Sequence, residues 1–130
     1  MSKFVLSNRS IGRLEGVHPH LLMVVFQAIE ETPLDFGITE GRRSWKRQRQ
    51  LVKEGKSKTM NSRHRTGHAV DIVVYTPKGK VSWDMRNYAK VARVFKKVAK
   101  EFEIDLEWGG DWKTFKDGPH FQLAWKSYPV

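Results

Sequence analysis

Two short segments carry the side chains able to do chemistry. The first, Ser62 to Asp71, reads Ser-Arg-His-Arg-Thr-Gly-His-Ala-Val-Asp and holds an imidazole, His64, and a carboxylate, Asp71. The second, Asp117-Gly118-Pro119-His120-Phe121, sets another carboxylate three residues before another imidazole. Asp71 lies inside the apolar run Ala69 to Tyr75, which reads as a buried strand. An unpaired charge there costs on the order of several kcal/mol, so Asp71 must meet a cation, a metal or hydrogen-bond donors. Two histidines and one aspartate with a further carboxylate nearby are what a catalytic zinc site requires: ligands, an open position for water, and a base. By spacing alone, His64 and Asp71 are equally explained by a solvated histidine and a structural aspartate. His68 is read as a non-ligand, because Gly67 disfavours a helix and the glutamate of the helical His-Glu-x-x-His motif is missing.

The elements that must position these groups follow from periodicity. After Pro19, the residues Leu21, Val24, Val25, Ala28 and Ile29 recur at helical spacing, giving an amphipathic helix to about Glu31 that ends before Pro33. His18 and His20, at its start, read as capping or surface groups. Asp35 to Glu40 is a strand candidate, and Ser44 caps a second helix from Trp45 to about Glu54, closed by Gly55. The Ala69 to Tyr75 strand runs into a turn at Thr76 to Lys80 and a short return strand, Val81 to Trp83. Beyond Asp84, the stripe Tyr88, Val91, Ala92, Phe95, Val98, Ala99 and Phe102 marks the core face of a third helix. Ile104 to Trp108 returns as a strand into the paired Gly109 and Gly110. Gly118 to Trp125 alternates, putting His120, Gln122 and Ala124 on one face and Phe121, Leu123 and Trp125 on the other. Ser10 to Val17 reads as a loop or a short helical turn. The expected fold is α+β: about three helices around a small, mainly antiparallel sheet with the site on one face.

With 130 residues, the chain is expected to form one domain, residues 1–130, with no room for an appended binding module. There is no cysteine, which excludes disulfides and thiolate zinc sites and leaves histidine and carboxylate ligands. Met1 to Arg9 lacks the apolar core of a signal peptide, and no run approaches a membrane span, so synthesis as a soluble cytoplasmic protein is expected. The net charge of +10 calls for an anionic partner: nucleic acid, a phosphate-bearing membrane or an anionic wall polymer. Arg42, Arg43, Lys46, Arg47, Arg49, Lys53, Lys56 and Lys58 form one basic block, continued by Arg63 and Arg65. Arg43, beside the strand end, is read as aimed into the cleft, to hold a substrate carboxylate or a developing oxyanion. The block has only Trp45 as an interleaved aromatic and shows no established nucleic-acid-binding motif, so a basic nucleic-acid-binding domain is the weaker alternative and no specific nucleic acid is expected.

Ser62, His64, Gly67, Ala69 and Asp71, followed by Asp117-x-x-His120, resemble the two motifs of the LAS metallopeptidases, the zinc family of D-Ala-D-Ala carboxypeptidases and dipeptidases. Gly41-Arg42-Arg43-Ser44, Gln48, Leu51, Gly55 and Trp108 to Trp112 extend the resemblance over most of the chain. It implies that His64, Asp71 and His120 hold Zn2+ and that Asp117 is the general base. It further implies that Arg43 contacts substrate oxygen atoms and that Ser62 hydrogen-bonds to substrate or to the ligand loop. An aspartate at position 117, the small size and the missing export signal are most similar to phage endolysins that cut the L-alanyl-D-glutamate bond of peptidoglycan stem peptides. The D-Ala-D-Ala relatives, which usually carry glutamate at this motif position, are the alternative. A monomer is expected, and its +10 charge would draw it to anionic cell-wall or outer-membrane polymers. It would stay in the host cytoplasm until a holin-like partner gives it access to the wall.

Overall fold

The computed structural model describes residues 4–129. Part of the signal-free N-terminal reading, Met1 to Lys3, and the last tail residue, Val130, lie outside the described residues. The helices among the described residues are α1 (Asn8–Arg13), α2 (Pro19–Glu31), α3 (Trp45–Lys53) and α4 (Met85–Glu101). The strands are β1 (Phe36–Glu40), β2 (Ala69–Val74), β3 (Leu106–Trp108) and β4 (His120–Leu123), all antiparallel in the order β1-β2-β4-β3. The α+β class and the sheet agree with the sequence expectation. The helix count differs by α1, which has no apolar periodicity and contains Gly12, but is started by Ser7, whose hydroxyl accepts from the Ser10 amide.

α2 and α4 pack on one face of the sheet. Val70, Ile72 and Val74 of β2, Phe36 and Ile38 of β1, and Phe121 and Leu123 of β4 turn to that face and join the α2 and α4 stripes in one core. Phe95 of α4 stacks on Phe121 at 4.2 Å between ring centres and tilts against Phe36 at 5.3 Å. Each such fully buried side chain contributes about 1.5–3 kcal/mol. Several boundaries depart from expectation: β3 begins at Leu106 and not at Ile104, and β4 keeps only His120 to Leu123 of the expected Gly118 to Trp125. Phe102 is not core: it is the C-cap of α4 and is exposed, because the helix ends before the stripe reaches it. The return strand after the turn shrinks to a single Tyr75–Val81 bridge, since Trp83 is almost fully exposed and only Ser82 is buried.

The opposite face holds the functional groups. Between Ile38 and Glu40 the β1 register slips by one residue, so that Ile38 pairs with Ile72 but Glu40, not Thr39, pairs with Asp71. This bulge puts Glu40 beside Asp71 and carries the chain on to Gly41.

Candidate metal centre and catalytic cleft

Asp71 and His120 are direct cross-strand partners on β2 and β4, which is why residues 49 apart in sequence meet. His64 comes from outside the sheet, on a 3-10 turn at Arg63–Thr66 that Ser62 caps, its hydroxyl accepting from the His64 amide. Gly67 ends that turn at φ 77°, in the left-handed region, where a side chain would also strike the Gly16 carbonyl. The Gly67 carbonyl accepts from the His18 amide, which ties the turn to the start of α2. Ligand atoms of His64, Asp71 and His120 lie within 4.8 Å of one another.

The hydrogen bonds behind the ligands fix which nitrogen of each ring faces the centre. His64 Nδ1 is 2.8 Å from the Gly41 carbonyl, which can only accept, so Nδ1 carries the proton and Nε2 of the neutral ring offers its lone pair. Nε2 is buried, 3.2 Å from Asp71 Oδ1, with no hydrogen-bond partner among the described residues. The Gln122 amide donates to Glu107 at 2.8 Å, so its oxygen points at His120 Nε2, also at 2.8 Å, and accepts from it. That leaves His120 Nδ1 aimed at Asp71 Oδ1, 3.0 Å away. Two imidazole lone pairs and a carboxylate oxygen thus converge, an arrangement of acceptors that only a cation or an added proton makes stable. The donor set fits Zn2+, which suits two imidazoles and one carboxylate.

In the metal-free protein the electrostatics favour a proton shared between His120 and Asp71. Burial pushes the Asp71 carboxyl up, but the hydrogen bond from His120 and the adjoining His64 outweigh it and hold Asp71 below the usual carboxylate range. Burial disfavours the charged form of His120, yet the Asp71 contact prevails and raises His120 above its ordinary value. Asp117 lies on the same cleft, and burial followed by the charge of Asp71 raises its carboxyl. Its backbone is held by a bond from its amide to the Gly109 carbonyl, and Trp108 Nε1 donates to the neighbouring Gly118 carbonyl. Gly109 is required by this approach: a Cβ there would overlap the Asp117 carbonyl.

The cleft above these groups has a volume of about 690 Å³ and brings together all six candidate residues: Arg43, Ser62, His64, Asp71, Asp117 and His120. Arg43 is buried, and its guanidinium is more heavily committed than the sequence suggested. It grips both Glu40 oxygens at 2.6 and 3.0 Å and donates to Gln48 Oε1 at 2.8 Å, with Ser62 Oγ at 3.5 Å. His68 is outside the centre, its ring bonded to Thr66 Oγ1, and His18 caps α2 as expected. Sequence reasoning missed Gln122, Glu107, Glu40 and the Gly41 carbonyl. Only the i, i+2 alternation of His120 and Gln122 hinted at any of them. It also missed Trp112, whose ring packs 5.2 Å from that of His120.

An α+β chain that sets two imidazoles and a carboxylate around one point, with a further carboxylate beside them at the floor of an open cleft, has the layout of a metallohydrolase. The chain belongs to the phage L-alanyl-D-glutamate peptidase family, whose profile matches residues 1–123. The L-alanyl-D-glutamate peptidase of Escherichia phage T5 is 33% identical over 118 residues, covering 88% of this chain and 85% of that protein. The peptidoglycan L-alanyl-D-glutamate endopeptidase CwlK of Bacillus subtilis is 34% identical over 108 residues, covering 69% of this chain. The match spans 61% of the length of CwlK. Among solved structures, the Serratia marcescens L-Ala D-Glu endopeptidase ChiX superposes with a TM-score of 0.91 at 46% identity, covering 98% of this chain and 96% of that one. The D,D-dipeptidase VanXYg, at 14% identity and a TM-score of 0.51 over 82% of this chain and 50% of its own, shares the fold alone.

Proposed function

We propose that this chain is a zinc-dependent endopeptidase that hydrolyses the L-alanyl-D-glutamate bond of peptidoglycan stem peptides, with residues 1–130 acting as one peptidase domain. The observation that carries the reading is the convergence of His64 Nε2, His120 Nδ1 and Asp71 Oδ1, with each ring turned inward by an acceptor behind it. His64, Asp71 and His120 would hold the ion, which when bound supplies Lewis acidity to the scissile carbonyl and to the attacking water.

The remaining work belongs to the protein. Asp117 takes the proton from the attacking water and passes it to the leaving amine. Its carboxyl is raised by burial and by Asp71 in the metal-free protein, and the charge of a bound ion acts against that shift. Arg43, fixed by Glu40 and Gln48, keeps one Nη2 hydrogen uncommitted among the described residues and directs it to a substrate oxygen. Ser62 orients the ligand turn through the His64 amide and lies near enough to Arg43 to share substrate contact. The basic surface draws the protein, acting as a monomer, to anionic wall or outer-membrane polymers. No helix among the described residues is long and apolar enough to cross a membrane. A separate holin-like protein opens the way from the host cytoplasm to the wall.

The test is digestion of Gram-negative sacculi with and without a chelator, reading new amino termini by mass spectrometry. New D-glutamate amino termini, lost on chelation and restored by zinc, are the expected result. Release of free D-alanine would move the assignment to carboxypeptidase chemistry, and an uncut sacculus with a metal-free protein would refute the zinc reading.

A further inference from the structure

A second cleft, of about 650 Å³, lies beside the catalytic one, and Glu40 lines both. Three arginines from separate parts of the chain line it: Arg13 at the end of α1, Arg42 between β1 and α3, and Arg65 on the ligand turn. None of the three forms an ion pair among the described residues. Arg13 Nη1 donates to the Ile38 carbonyl and Arg65 Nη1 to the Arg43 carbonyl, while Arg65 Nε is buried with no hydrogen-bond partner among the described residues. The carboxylate nearest to hand, Glu40, is taken by Arg43, with Arg47 at 3.9 Å. Glu15 also lines the cleft but pairs with none of them among the described residues. Trp45, 54% exposed, stands at the same cleft with the Arg65 guanidinium 4.3 Å from its ring centre. Three arginines against Glu15 and a Glu40 already paired with Arg43 leave the concavity net positive, which favours an anionic ligand.

We propose that this cleft is an accessory site for the anionic peptidoglycan strand, taking the carboxylates of a stem peptide next to the one being cut. The assignment rests on the peptidase reading. It is favoured over an unrelated anion by continuity: Glu40 belongs to both clefts, and Arg65 links the second cleft to Arg43 and to the turn that carries His64. A substrate whose repeating unit includes D-glutamate presents such carboxylates at intervals along one polymer. Trp45 offers its free edge to the apolar part of the same segment.

Arg42 and Trp45 are both exposed and lie outside the catalytic cleft, so the test uses the double variant Arg42→Glu, Trp45→Ala. Its hydrolysis of intact Gram-negative sacculi at low salt should fall about tenfold through the apparent KM. Cleavage of a soluble single stem peptide should stay at the wild-type rate. Equal rates on sacculi, or equal losses on both substrates, would overturn the proposal. Co-sedimentation with sacculi is read separately in an Asp117→Asn background, where binding should drop with the double change. That arm stands even if wild-type protein cuts nothing, an outcome that refutes the peptidase reading and not the site. Binding confined to Gram-positive walls, and abolished when their phosphate polymers are stripped by acid, would overturn the carboxylate assignment.

Discussion

Replacing Gln122 by leucine tests whether the hydrogen bonds behind the ligands set metal affinity. Gln122 is 7% exposed, and its oxygen is the acceptor 2.8 Å from His120 Nε2. With leucine there, His120 can keep Nδ1 available to the metal only by leaving a buried Nε2 hydrogen unpaired. Such an orphan costs about 1–3 kcal/mol. The metal-free protein escapes part of that cost by re-orienting the ring, so most of the penalty falls on the loaded state. The zinc affinity should therefore weaken from about fivefold to about a hundredfold. The measurement is zinc competition against a chromogenic chelator at neutral pH, with thermal melting to confirm that the variant folds. Gln122→Glu keeps an acceptor at that place but sets a carboxylate against Glu107; combined with Glu107→Gln, which restores the donor, it should bind zinc at least as tightly as the wild type. A leucine variant that folds and binds zinc with unchanged affinity would refute the orienting role.

Other outcomes follow from the same geometry. Asp117→Asn should retain zinc while hydrolysis falls by at least about a hundredfold, and His120→Ala should lose the metal; equal zinc loss in the two by elemental analysis would make Asp117 a ligand or a structural residue. Gly109→Ala should lower turnover with zinc retained, because the new methyl group displaces Asp117; an unchanged rate would show that this approach is not needed. The metal-free protein should lose thermal stability as pH rises through the raised pKa of His120. That group contributes fully below its unfolded value of about 6.5 and is lost above its folded one. The zinc-loaded protein should lose stability in the other direction, as acid competes for His120. Asp71→Asn should flatten the metal-free profile; a profile that keeps its slope would refute the ion pair as its source.

Much of the architecture is written in local pattern. The α4 stripe from Tyr88 to Ala99 and the Ser44 cap each depend on residues a few positions apart, and these elements form where expected; the alternation around His120 holds only from His120 to Leu123, and Trp125, beyond the strand, lines the catalytic cleft instead of the face opposite His120. That Asp71 needs a partner was legible as well, because a carboxylate inside an apolar strand demands one; its grouping with His64, Asp117 and His120 came from the motif resemblance and not from spacing. α1 and Phe102 were misjudged because a six-residue helix has little periodicity and the last turn of a helix is decided by its cap.

What the sequence could not supply is the orientation of those groups. The bulge between Ile38 and Glu40, the carbonyl that turns His64 and the Glu107–Gln122–His120 chain all arise from contacts between strands and loops far apart in the chain. The gathering of Arg13, Arg42 and Arg65 on one cleft has the same origin. Residue type determined which atoms could bind a cation or an anion. Long-range register decided which lone pairs face one another, because a shift of one residue in a strand moves every side chain to the other face.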